Sequence, residues 1–401
     1  MPARKKVLAL GLSSAGGDWP PLAAVVLGLF QRGHSVRYFA DANIATALRR
    51  TGVIVDAVRP EAELRSYVIR WNERAAQPGS SAVGHPIVTP LKEWAADSLS
   101  AVCDLVSQFQ PGVMLSQLLT AELASRTKTE TGLPWCFVNP ACYFGQQSVR
   151  PFEADIGPLE RPLFAHCQSL LDGADLVLHG TDAVFDPPPA HLPRHHQYVG
   201  PLLWDPPGVV PPFLAEPGPP WVLVTLSLAP QQDELRLARA ALSALAARPV
   251  RVLLTLGERS LRDELLPLPD NARVESYVPH AEVLKHACLL VSHAGHGVVM
   301  KALYHGVPMV LVPWGRDQPG VAARAEALGV AKVIPREALS DARLSEAVAS
   351  VLRMPQYQVE VRRHSDRLQG QNAVGVACEA IEALLDVVSW RRGVSERKEP
   401  Q

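Results

Sequence analysis

The chain has 401 residues, long for one hydrophobic core, so two domains of about 200 residues each are expected. Hydrophobic residues make up 47%, enough for two packed cores, and 39 basic against 40 acidic residues leave a formal net charge of -1. That balance argues against a nucleic-acid binder, which carries a basic domain or face. The six cysteines, Cys103, Cys136, Cys142, Cys167, Cys288 and Cys378, form no CxxC pair and fit no zinc spacing, so they read as reduced thiols of a cytoplasmic protein.

The start "MPARKKVLALGLSSAGGDWPP" has the basic-then-apolar order of a secretion signal, but the apolar run 7–12 is short and Gly and Asp follow. A buried first strand over 6–12 explains it better. A helix follows over 20–31, with Pro20 at its start and Gly33 past its end, then a strand over 35–40. Further strands are expected over 53–58, 113–115, 135–139 and 176–179, and helices over 90–109, 121–131 and 159–171. Wholly apolar strands alternating with helices indicate a parallel sheet covered on both faces. The stretches 78–90 and 140–151 read as loops. No run of 18 apolar residues occurs, so no membrane-spanning helix is expected.

"PLLWDPPGVVPPFLAEPGPP", residues 201–220, is too rich in proline for a regular element and reads as a semi-rigid connector between domains. The pattern then restarts. Strands are expected over 221–226, 250–256, 273–276, 288–292 and 309–312. Helices are expected over 233–247, just after His280, and over 297–304, 320–328, 344–353, 356–368 and 374–388. The charged tail "RRGVSERKEPQ" reads as frayed. The whole is two Rossmann-like α/β domains in tandem, with a ligand expected where the carboxyl ends of their strands meet.

Residues 280–305 hold five of the 13 histidines, around the strand–turn–helix "SHAGHGVVMKALYHGVP". A metal site lacks partners, because no Cys, Asp or Glu lies within 292–308. Two readings remain from the residues alone: a tight β–α turn without ligand, or an anion cradle. In the second, Gly295 and Gly297 let the backbone approach a ligand while the helix start aims its N–H groups there. Lys301, about a turn into that helix, opposes the dipole, and a bound polyphosphate would relieve the clash.

The longer pattern "SYVPHAEVLKHACLLVSHAGHGVVMKALYHGVPMVLVPWGRDQPGVAARAEALGV", residues 276–330, resembles the donor-binding motif of the family 1 glycosyltransferases, the UDP-glycosyltransferase superfamily. It is most similar to the bacterial branch that glycosylates macrolides, glycopeptides, sterols and phenolics. "GGDWPP" and "RGHSV" match that family's opening helix boundaries. The resemblance implies the GT-B fold, two facing Rossmann-like domains with parallel sheets. Residues 1–200 would bind acceptor, 201–220 link, and 221–375 bind the nucleotide-sugar. Residues 376–401 would form a helix packing back on the first domain, plus a tail.

By the same resemblance Tyr277 packs on the nucleobase; its alternative is a core aromatic. His293 contacts the diphosphate, Gly295, Gly297 and Val298 form the cradling turn, and Asp317 and Gln318 bind sugar hydroxyls. Asp317 can equally cap the helix before Pro319. Trp314 would wall the sugar pocket. Three positions depart from the family pattern. Val298 replaces a Ser or Thr, Lys301 a Glu that accepts from ribose, and Ser227-Leu228 a Gly-Ser/Thr pair in which Ser227 can restore a hydroxyl.

Many relatives use a His base in the first β–α loop, steered by an Asp; here Asp18 occupies that place and Gln117 the steering place. An aspartate base needs no orienting carboxylate, so Asp18 is assigned as base. The competing role for Asp18 is a cap of the first helix. The acceptor is expected near Trp94, Gln117, Tyr143 and Phe144. His34 reads as structural, His195 and His196 lie in the approach to the connector and are assigned no role, and His296 and His305 read as context.

The implied activity is an inverting, metal-independent transfer of a hexose from a UDP- or TDP-sugar co-substrate to a hydroxyl of a small apolar acceptor, by a monomer or homodimer with no further cofactor. A non-catalytic auxiliary protein and a nucleotide-sugar epimerase of the same fold are the alternatives.

Overall fold

The computed structural model describes residues 4–13, 17–58, 63–75, 84–144, 161–226, 235–256 and 262–395. The first half runs β1 (Lys6–Gly11), α1 (Trp19–Gln31), β2 (Ser35–Ala40), α2 (Ala42–Leu48), β3 (Ile54–Ala57), α3 (Leu64–Ala75), α4 (Val88–Phe109), β4 (Val113–Ser116), α5 (Ala121–Thr131), β5 (Trp135–Asn139), α6 (Arg161–Leu171), β6 (Leu176–His179) and β7 (His196–Tyr198). Its strands pair in parallel in the order β3-β2-β1-β4-β5-β6-β7.

The second half runs β8 (Trp221–Thr225), α7 (Leu235–Leu245), β9 (Arg251–Thr255), β10 (Ala272–Glu275), α8 (His280–Leu284), β11 (Ala287–Ser292), α9 (His296–Tyr304), β12 (Met309–Leu311), α10 (Gln318–Ala327), β13 (Ala331–Val333), α11 (Asp341–Arg353), α12 (Pro355–Gln369) and α13 (Ala373–Ser395). Its sheet is also wholly parallel, in the order β10-β9-β8-β11-β12-β13. The two sheets repeat one Rossmann-like topology. Each reverses its strand order between two central strands, β1/β4 and β8/β11, and ligands sit at the carboxyl ends beside such a reversal.

Strands β1, β5 and β8 are buried almost end to end, as expected for parallel strands covered on both faces. Among the described residues the expected strands and helices are present with ends unshifted or shifted by at most three residues, except that α13 runs seven residues past its expected end; residues 159–160 and 233–234, the starts of two expected helices, lie outside them. Helices α2 and α3 and the short strands β7 and β13 were not foreseen. Two expectations change. The stretch 201–220 contains one 3-10 turn at Pro212–Leu214, and the tail is helical as far as Ser395 instead of frayed from Arg391. Residues 78–83 and 145–151 of the expected loops lie outside the described residues, while Val88–Pro90 already belongs to α4.

Helix α13 returns to the first sheet. Ala377, Cys378, Ile381 and Leu385 share one core with Val7, Leu22, Val25 and Val113. Gly28 permits the approach: a Cβ there would stand 2.6 Å from Val374 Cγ1 and 2.8 Å from Cys378 Sγ. Burying Ile381 and Leu385 contributes about 2 kcal/mol each. At the rim Glu382 accepts from Arg32 Nε and Nη2 at 2.9 and 2.7 Å and meets His34 Nε2 at 2.8 Å. His34 is thereby structural, as expected.

A second bridge is the segment after β6. Thr181 Oγ1 meets His296 Nε2 at 2.9 Å, and Asp182 accepts from both Nη atoms of Arg367 at 2.6 and 2.7 Å. Phe185 enters the second domain's core, and Asp186 Oδ1 accepts from Arg324 Nε at 2.9 Å. Among the described residues no helix is long and apolar enough to cross a membrane.

Candidate active site

The turn from β11 into α9 is built from strained backbone. Ala294 has φ +68°, in the left-handed region that non-glycine residues rarely enter, and its N–H donates to Ser292 Oγ at 3.0 Å. Such strain persists where the surroundings impose it and concentrates at ligand sites. Gly295 then occupies the helix cap position with no side chain to accept from the first turn. The leading N–H groups of α9 and the positive end of its dipole therefore present themselves to an anion. A Cβ on Gly297 would meet nothing within 4 Å, whereas one on Gly295 would stand 2.8 Å from His293 Nε2. The His293 ring thus lies over the turn, nearly buried, with Nδ1 3.5 Å from Thr225 O at the end of β8. Val298 packs into the core behind. His296, read as context, bridges to Thr181, and burial keeps it neutral by lowering it to about 4.

The loop from β12 to α10 shows a second left-handed residue, Arg316 at φ +57°. Gln318 folds back, its Oε1 accepting from Trp314 N at 2.8 Å and Gly315 N at 3.1 Å. Its carbonyl thus closes this loop. Asp317 stands at the cap position of α10, yet its side chain makes no capping bond. Trp314 is buried in the second domain's core, with the Arg336 guanidinium 5.2 Å above the ring.

Asp18 belongs to the loop at the carboxyl end of β1. It too stands at a cap position without capping, and the sequence explains why. A cap accepts from the second or third helical N–H, and Pro20 and Pro21, which have none, hold those places. Among the described residues its Oδ2 is buried without a hydrogen-bond partner. Burial pushes the carboxyl up to about 7, the negative charge of Asp317 adds to the rise, and Arg316 opposes it. The structure therefore brings Asp18 of the first domain and Asp317 of the second within electrostatic reach of each other.

Lys301 corrects an expectation. Helix α9 begins at His296, so Lys301 lies in its last turn, where the dipole favours a cation, and no polyphosphate is needed to relieve a clash. Its ammonium pairs instead with Asp205 Oδ1, both side chains being largely buried. Asp205 Oδ2 also accepts from Ala281 N at 2.8 Å, and Tyr277 donates its hydroxyl to Pro206 O at 2.7 Å. Gly208 lies against the Tyr277 ring. The connector thus covers the patch holding Tyr277 and Lys301. Ser227 lies outside the described residues.

The four expected acceptor residues separate. Trp94 is fully buried in the core of the first domain. Gln117, also buried, donates Nε2 to Leu12 O at 2.6 Å and so fixes the exit of β1 toward Asp18. Tyr143 and Phe144 line a cavity of about 50 Å³ with Gln168, Asp172, His179 and His196. There Asn139 Nδ2 meets His179 Nδ1 at 3.1 Å, and His179 Nε2 meets His196 Nδ1 at 3.0 Å. Burial holds both rings neutral, lowering His179 to about 3 and His196 to about 4. Sequence reading missed this chain because its members end or begin separate strands. Among the described residues no group of three or more His, Cys, Asp or Glu could hold a metal.

Residues 239–379 match the model of the erythromycin biosynthesis protein CIII-like C-terminal domain. The 4'-demethylrebeccamycin synthase of Lentzea aerocolonigenes is 27% identical over 413 residues, covering 92% of this chain and 97% of that protein. The solved glycotransferase of kitacinnamycin superposes with a TM-score of 0.74 at 21% identity, covering 96% of this chain and all of the other. The glycosyltransferase VinC in complex with dTDP superposes with a TM-score of 0.69 at 18% identity, covering 96% and 99%.

Proposed function

The chain belongs to the family 1 bacterial glycosyltransferases of the natural-product type, and from that membership we propose that it moves a hexose from a UDP- or TDP-sugar to a hydroxyl of an apolar acceptor, with inversion and without a metal. The observation that carries this reading is Asp18. It is a carboxyl beyond the end of β1 with a buried oxygen that has no hydrogen-bond partner among the described residues, raised to about 7, where it is ionised in useful amount yet basic enough to take a proton.

In the proposed step Asp18 removes the proton of the acceptor hydroxyl as that oxygen attacks the anomeric carbon. The bond to the diphosphate oxygen breaks on the opposite face. The departing charge is met by the N–H groups at the start of α9 and by His293, donors already in place before reaction. Gly295, Gly297 and Val298 frame the diphosphate, and Asp317 and Gln318 lie at the sugar end with Trp314 behind them. Tyr277 marks the nucleobase end. Residues 1–200 with the returning helix hold the acceptor near Gln117, Tyr143 and Phe144, and residues 221–375 hold the donor. VinC carries dTDP, which supports including thymidine diphosphate among the leaving groups.

The test is product mass after mixing the protein with UDP- and TDP-sugars and a panel of hydroxylated apolar acceptors, beside an Asp18→Ala variant. A glycosylated product lost in the variant supports the reading. Donor consumed to a sugar epimer, or no turnover with any pair, would overturn it in favour of an epimerase or an auxiliary protein.

A further inference from the structure

We propose that Asp186 is a positioning residue that couples the acceptor-side loop after β5 to the donor-side helix α10. The inference rests on the assignment of donor and acceptor sides above. Asp186 is almost completely buried and serves both domains at once. Its Oδ2 accepts from Tyr143 N at 2.6 Å and from the Tyr198 hydroxyl at 3.4 Å, while its Oδ1 accepts from Arg324 Nε at 2.9 Å. Arg324 is itself buried and returns Nη1 to Gly320 O at 3.1 Å, in the first turn of the helix that opens with Asp317 and Gln318. One carboxylate therefore ties the main chain of Tyr143 to the main chain of the donor helix through a single planar guanidinium. A displacement of the first turn of α10 on donor binding is passed to Tyr143 without any loosely packed intermediate.

The neighbouring pair serves as the contrast. Asp182 crosses the same interface four residues earlier, but it binds Arg367 of α12 and the amide of Phe185, and none of these bonds reaches a substrate loop. A role limited to holding the domains together would belong to both aspartates alike.

The experiment is hydrogen exchange of the segment 140–144 with and without saturating UDP or TDP, each binding followed by calorimetry, in the wild type, Asp186→Asn and Asp182→Asn. In the wild type and in Asp182→Asn, nucleotide slows exchange at this segment by about fivefold or more. In Asp186→Asn, nucleotide binds within about threefold of the wild-type affinity but this protection is lost, as expected when the link and not the site is cut. Equal protection in all three proteins, equal loss in both variants, or nucleotide binding without protection in the wild type would each overturn the coupling. Absence of binding heat in the wild type would instead overturn the donor-site reading beneath it. Should Asp186→Asn fail to fold, Arg324→Lys cuts the link from the other side. It keeps a charge for Asp186 but loses the fork that also holds Gly320.

Discussion

Replacing Asp18 by Asn removes the proposed base and, on the same physical grounds, stabilises the protein. Moving a carboxyl from its ordinary 3.8 to about 7 corresponds to roughly 4 kcal/mol. The sign follows from proton binding. Between pH 4 and 7 the native chain keeps a proton that the unfolded chain has released, so stability falls as pH rises through this window and stays low above it. Asparagine cannot ionise and escapes that loss. Denaturant unfolding at pH 8 should show Asp18→Asn more stable by up to roughly 4 kcal/mol, shrinking below about 1 kcal/mol near pH 4. Turnover should meanwhile fall by about 10²- to 10⁴-fold. In the wild type, kcat/KM at pH 6 should lie about tenfold below its plateau, because about a tenth of the carboxyl is then ionised. Asp317→Asn should move that limb to lower pH and Arg316→Gln to higher pH. A helix-capping Asp18 predicts the opposite stability change, a loss of about 0.5–2 kcal/mol on substitution. A less stable variant at pH 8, or one with full turnover, would refute the reasoning.

Gly297→Ala should leave the fold intact and add up to about 1 kcal/mol of stability, since a Cβ there meets no protein atom, yet weaken TDP or UDP binding by about tenfold or more in calorimetry if phosphate approaches the backbone. Lys301→Glu should cost about 3–5 kcal/mol in denaturant unfolding, because it buries two carboxylates together at Asp205, and adding Asp205→Lys should recover at least half. Glu382 is held at about 2, first by hydrogen bonds from Arg32 and then by His34, against burial. Its contribution is present above its ordinary value of 4.5 and lost as pH falls toward about 2. Glu382→Gln should therefore lower stability by about 1 kcal/mol at pH 7, with the difference fading in acid unfolding titrations.

The main architecture was legible because short apolar runs such as "VLALG" and "WVLVT", alternating with helical stretches, fit buried parallel strands. Strands β7 and β13 lay beyond reach: "HQY" and "AKV" carry no such run, and their pairing to a sheet edge defines them. Helix α2 was within reach, since Asp41 accepts from Ile44 N as an N-cap and that residue type precedes the helix in the sequence. At the site, "DWPP" held enough to exclude a capping role for Asp18. The raised carboxyl was not legible, because burial by the folded chain raises it first and Asp317 adds to the rise from the other domain. Lys301 was misjudged for the same reason, as its partner Asp205 is 96 residues away in a connector without regular spacing.

The return of α13 to the first sheet also bears on how the polypeptide matures. The core containing Val7, Leu22 and Val113 is not complete until Ile381 and Leu385 arrive, long after Val113 in chain order. Of the two domains, the one made earlier is thus finished only after the other has been made. Until then the groove beside Gly28 offers bare apolar surface to any chaperone or neighbouring chain. Truncations that spare every proposed substrate-binding residue but remove this helix should therefore reduce the yield of folded protein more than they alter its chemistry.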